Sequence, residues 1–163
     1  MHERFDDEEW ELLRHLLYSA FSFATMADGE VEPRELAAIA DTLNHPDSIE
    51  DPLHSELARD YQVRGDAGIR SEQAFQVAET PEAVLARFTR TKGVLKDRLT
   101  AAEYEQFLTS VFVHSGVTEL HRKKHRFGRH PDEVLSKEDA AQLETWATMW
   151  DLDPSSLARY TGA

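Results

Sequence analysis

The sequence predicts an all-α domain. Apolar residues recur at steps of three and four in each long pattern, and no segment sustains the period-two alternation of β-branched residues that a sheet strand needs. At 163 residues the chain can enclose one core, so residues 1–163 are read as a single domain, a compact bundle of about seven to nine helices.

The first helix is expected over residues 7–27, where Trp10, Leu13, Leu17, Phe21 and Ala24 fall on one face. Asp6, Asp7, Glu8 and Glu9 put negative charge at the positive end of its dipole, and Asp28-Gly29 stops it. Pro33 suits the first turn of a second helix carrying Leu36, Ile39, Ala40 and Leu43, which Asn44 to Asp47 closes. Short helices follow over 52–61 and 71–78, with Gly65 and Gly68 marking a loop between them. Pro81 opens the next helix through Val84, Leu85 and Phe88, extending to Leu95 although Gly93 weakens its end. Thr100-Ala101-Ala102-Glu103 matches a capping box, in which hydroxyl and carboxylate satisfy otherwise unpaired backbone donors, ahead of Tyr104, Phe107, Leu108, Val111 and Phe112. His114-Ser115-Gly116 ends that helix. Ser136 to Asp139 is a weaker cap before Ala140, Leu143, Trp146, Ala147 and Trp150, and Asp153-Pro154 starts a last short helix. The spacing of Trp10, Trp146 and Trp150 assigns them to the core.

Composition excludes several classes of function. The formal net charge of −13 disfavours nucleic acid as a partner, because neutralising phosphates takes excess cationic surface. The absence of cysteine removes disulfides, thiol nucleophiles and cysteine-held metals. No uncharged apolar run approaches the roughly 18 residues of a transmembrane span, and the acidic stretch Met1 to Glu9 is unlike a signal peptide; a cytoplasmic location is expected. Residues 1–60 hold 16 acidic and 4 basic side chains, whereas 61–163 are nearly balanced. Within that second part, residues 121–130 form a cationic island of five Lys/Arg and three His, suited to a solvated surface or to docking an acidic partner or a phosphate-bearing ligand.

A weak internal repeat has an offset of 91 residues, pairing Leu16 with Phe107, Leu17 with Leu108, Ser19 with Ser110, Ala20 with Val111 and Phe21 with Phe112. A duplication would give two pseudo-repeated helix-turn-helix halves packed across one core.

The densest chemistry is Asp28-Gly29-Glu30-Val31-Glu32-Pro33-Arg34-Glu35, four carboxylates in eight positions at a helix-to-helix turn. Capping and solvation account for each residue; alternatively, Asp28 and Glu35, with a loop carbonyl or Glu30, converge on a hard cation that prefers oxygen, Ca²⁺, Mg²⁺ or Mn²⁺ ahead of Zn²⁺. The spacing is not that of an EF-hand loop. Phe21 to Leu43, centred on Ala27-Asp28-Gly29-Glu30 followed by Glu35, resembles the tellurite-resistance TerB family, and Ser136 to Leu157, with Trp150-Asp151-Leu152-Asp153-Pro154, is similar to that family's closing helices. The resemblance implies a compact helical fold and a cytoplasmic stress-response role linked to tellurite resistance. It also implies other stress-response proteins as partners, and metal binding carried by Asp28, Glu30 and Glu35. No Asp-Gly-Glu stands in the second half, so a second acidic site is not carried over.

His121 and His125 share one face if helical, and His130 or His114 adds a further nitrogen for Zn²⁺ or Ni²⁺. With the acidic turn they define the alternative, a metal-dependent hydrolase in which Glu30 or Glu35 acts as general base. Arg122, Lys123, Lys124 and Arg126 oppose a cation there, and no nucleophile-elbow or Gly-rich phosphate loop is present. A non-enzymatic metal-binding or interaction module is therefore the expected function.

Overall fold

The computed structural model describes residues 1–26, 45–112, 114 and 137–155. Five α-helices lie within them: α1 (Asp7–Met26), α2 (Pro52–Ala78), α3 (Pro81–Arg98), α4 (101–112) and α5 (Lys137–Met149). No strand occurs among the described residues, so the all-helical expectation holds. The helix expected over residues 33–43 and the cationic island lie outside them.

Local chemistry sets the helix starts. The backbone N–H of Asp6 donates to Glu9 Oε2 (3.0 Å) while the Glu9 N–H donates to Asp6 Oδ1 (2.8 Å), a reciprocal cap on α1. The Asp51 carboxylate accepts from the His54 N–H and Thr80 Oγ1 from the Ala83 N–H, each just ahead of a proline that needs no amide partner. The expected box on α4 forms: Thr100 N–H to Glu103 Oε2 at 2.8 Å, and Glu103 N–H to Thr100 Oγ1 at 3.2 Å. At the far end of α5, Asp151 takes a left-handed φ of 54° and Leu152 N–H returns to the Ala147 carbonyl, closing the last turn. Lys92 and Lys96 of α3 both reach the Asp151 carboxylate, docking that end.

The core runs between α1 (Trp10, Leu13, Leu17), the first half of α2 (Leu53, Leu57, Tyr61), α4 (Phe107, Leu108, Val111) and the end of α5 (Trp146, Trp150). All three tryptophans are buried, as their spacing predicts. Hydroxyl-to-carbonyl bonds tie elements across it: Tyr61 to Arg14 at 2.7 Å and Tyr104 to Trp150 at 2.6 Å. Helix α3 is more peripheral, with only Thr91 and Leu95 buried.

Helix α2 corrects the expected loop at 64–68. The chain stays helical through Gly68 and breaks at Gly65 alone, where φ is 61° and ψ is −156°. A side chain at Gly68 would put its Cβ 2.5 Å from Arg64 Cβ, so both glycines serve one kink, the first by its dihedrals and the second by its lack of bulk. Gly65→Ala is expected to cost about 1–3 kcal/mol in denaturant unfolding, since an L-residue is strained there. Gly93, helical and facing open space, is the contrast: Gly93→Ala should stabilise by about 0.4–1 kcal/mol.

Candidate functional site

A pocket of about 410 Å³ opens where α1, α3 and the end of α5 meet. Leu16 and Ala20 face it from successive turns of α1, Phe88 and Thr91 from α3, and Trp146 and Trp150 across from them. The i, i+4 spacing of the tryptophans brings their rings to 5.7 Å at a 50° tilt, and Phe88 meets Trp150 at 4.6 Å with a 56° tilt, so aromatic rings form much of the wall.

One edge is polar and supplied by α2 and its exit. Arg87 forks onto Glu79, Nε donating to Oε2 at 2.9 Å and Nη2 to Oε1 at 2.8 Å, with side chains only 13% and 8% exposed. These are the two charged residues of the wall, and the fork neutralises both. Gln76 Nε2 donates to Ser19 Oγ (3.0 Å) and to the His15 carbonyl (3.2 Å). Thr91 Oγ1 donates to the Arg87 carbonyl at 2.8 Å. Behind this edge His15 Nδ1 meets Glu72 Oε2 at 2.6 Å, and the His15 ring lies on Phe75, 4.1 Å apart and 7° from parallel.

A second, polar cleft of about 650 Å³ lies between the start of α2 and α4, lined by Glu50, Asp51, Glu105, Thr109, Ser110 and His114 among others. Behind it, His54 Nδ1 sits 2.8 Å from Ser110 Oγ, and His114 Nδ1 donates to the Ser110 carbonyl at 2.9 Å. Burial, and secondarily the neighbouring His114, push His54 down to about 3. So weak a base is a poor acceptor for a serine proton, and no carboxylate orients its buried Nε2. The contact joins α2 to α4 rather than activating Ser110. Burial also pushes the Asp51 carboxyl up, against the bonds it accepts from backbone N–H groups.

Ser19 and Ser110, equivalent under the 91-residue offset, are both half-buried, and each hydrogen-bonds α2, one through Gln76 and the other through His54. Asp28, Glu30 and Glu35, and likewise His121, His125 and His130, lie outside the described residues. Among the described residues no three His, Asp or Glu side chains converge as metal ligands, and no helix is long and apolar enough to cross a membrane. Sequence reading missed Glu79, Arg87 and Gln76; the available signal was a Glu just before the Thr80-Pro81 helix start and an Arg two turns beyond it. Compared with known proteins, the chain matches no family model, no curated protein and no solved structure.

Proposed function

We propose that this chain is a non-enzymatic binding module that takes a small, uncharged, largely apolar ligand between α1, α3 and α5. The observation that carries this reading is an aromatic-walled pocket whose two charged residues neutralise one another. Its volume lies in the range of small-molecule sites. A ligand bearing a charge would have to be desolvated beside apolar rings, with Arg87 and Glu79 already committed to each other. The wall hydroxyls are engaged as well, Thr91 with a carbonyl and Ser19 with Gln76, which favours holding a ligand over transforming it. N-phenyl-1-naphthylamine, a neutral dye that brightens in apolar surroundings, should bind saturably, with a dissociation constant on the order of 10 µM. Val84 lines the mouth and is 42% exposed, so Val84→Glu should fold normally and weaken the dye about tenfold by placing a carboxylate in its path. Linear, unsaturable fluorescence would defeat the reading.

A second, compatible reading rests on the acidic turn. Four carboxylates within residues 28–35, in a segment resembling TerB, support a TerB-like stress-response module in which Asp28, Glu30 and Glu35 hold a divalent cation. Such a module would fix the adjoining helices and present a surface to other stress-response proteins. Calorimetric titration of chelator-treated protein should then give heat with Ca²⁺, Mg²⁺ or Mn²⁺ that Asp28→Ala abolishes. Silence for all three defeats this reading, and tight Zn²⁺ binding lost with His121 would favour the hydrolase instead.

A further inference from the structure

Helix α2 is two different objects joined at Gly65. Of its seven buried residues, six (Leu53, His54, Ser55, Leu57, Ala58 and Tyr61) precede the kink, and only Glu72 follows it. Beyond Gly65 the one apolar side chain packed against the core is Ile69, itself half-buried. The distal half is held to α1 chiefly by polar and stacking contacts: Glu72 on His15, Gln76 on Ser19 and the His15 carbonyl, and Phe75 on the His15 ring. Water can replace such contacts at modest net cost, whereas it cannot replace the leucine packing of the proximal half. Each end of the distal half is a break in helical geometry. Gly65 is a glycine in a conformation other residues avoid, and Glu79 and Thr80 form an extended two-residue link into α3. Gln76 and Glu79 are also the α2-side wall of the pocket.

We propose that residues 66–78 form a lid that swings about Gly65 and gates the apolar pocket, with the Glu72–His15 and Gln76–Ser19 contacts as its latch. The proposal rests on the pocket-binding reading above and adds how the ligand enters. In the open state Gln76 leaves Ser19 and uncovers the Leu16–Ala20 side of the pocket, while the Arg87–Glu79 fork stays with α3 as the far pivot. A bound ligand stabilises the closed state by the contacts it makes with both walls.

Hydrogen exchange with and without the neutral naphthylamine dye tests this on the full chain. In the free protein, amides in 68–78 should exchange about a hundredfold faster than those in 54–62, as expected of a separately opening unit. Saturating dye should slow the distal amides at least about tenfold and leave the proximal ones unchanged. Glu72→Ala, which removes the latch, should speed both distal exchange and dye association in stopped flow, and Glu72→Gln, which can still hydrogen-bond His15, should recover much of the slow rate. If both halves of α2 exchange at one rate, or if saturably bound dye leaves the distal amides unprotected, the lid is wrong and the pocket reading stands. If the dye does not bind saturably, both fall together.

Discussion

Arg87→Ala is expected to destabilise the fold by about 3–5 kcal/mol, because it strands the Glu79 carboxylate in a buried position. The cost comes from what is left behind rather than from the strength of the pair. A forked Arg–carboxylate contact roughly offsets the desolvation of its partners, but a lone buried carboxylate has nothing to offset it. Glu79 would also lose both bonds at once, since Nε and Nη2 each serve one of its oxygens. The double variant Arg87→Met with Glu79→Gln should therefore recover most of the loss, a non-additivity that chemical denaturation resolves in a double-mutant cycle. A single-variant cost below about 1 kcal/mol would place the pair in water, and with it the neutral edge on which the ligand class depends.

Acid should weaken the fold through His54 well before the carboxylates titrate. In the unfolded chain this imidazole takes a proton near pH 6.5; in the folded protein burial holds it neutral down to about 3. Between those values the unfolded state binds more protons, so stability is fully present above pH 6.5 and falls as the pH drops through the window. One such group gives a slope approaching 1.4 kcal/mol per pH unit, or on the order of 3 kcal/mol between pH 6.5 and 4. Asp51 opposes this at the acid end, because its raised carboxyl takes a proton in the folded state first. Glu9, Glu103 and Asp151, held down by the Arg98 guanidinium, by the Thr100 amide and by the Lys96 ammonium respectively, lose their contribution only as the pH falls from the ordinary carboxylate value toward their lowered ones. Among the described residues, urea unfolding at pH 5 to 6.5 therefore reads chiefly His54. His54→Leu should flatten the profile there, and an unchanged slope would mean that another group sets it.

The helices were legible because periodicity and capping act locally. Leu13, Leu17 and Phe107 fall on their faces by spacing alone, and the Thr100–Glu103 box formed between the atoms its residue types dictate. Two boundaries were not legible. Gly93 suggested a weak end to α3, yet the helix runs to Arg98, since Leu95 is fully buried and Lys92 and Lys96 grip Asp151. Gly68 looked like loop, yet it is the helical residue on which Arg64 leans. The pocket could not be read from the sequence for a different reason. Spacing marks Leu16, Phe88, Trp146 and Trp150 as inward-facing, but whether three inward faces meet or leave a gap depends on how the helices cross, which no single pattern encodes. The acidic turn is the reverse case, conspicuous as a pattern while lying outside the described residues.

The kink at Gly65 also separates the part of α2 that fills the interior from the part that borders the cavity. Because six of the seven buried residues of α2 sit ahead of the glycine, a substitution at Gln76, the residue of 66–78 that lines the cavity, can reshape that part of its wall without disturbing the leucine packing. Evolution, or an engineer building a sensor for a different hydrophobic compound, can thus retune selectivity at that residue while the rest of the sequence keeps the protein folded.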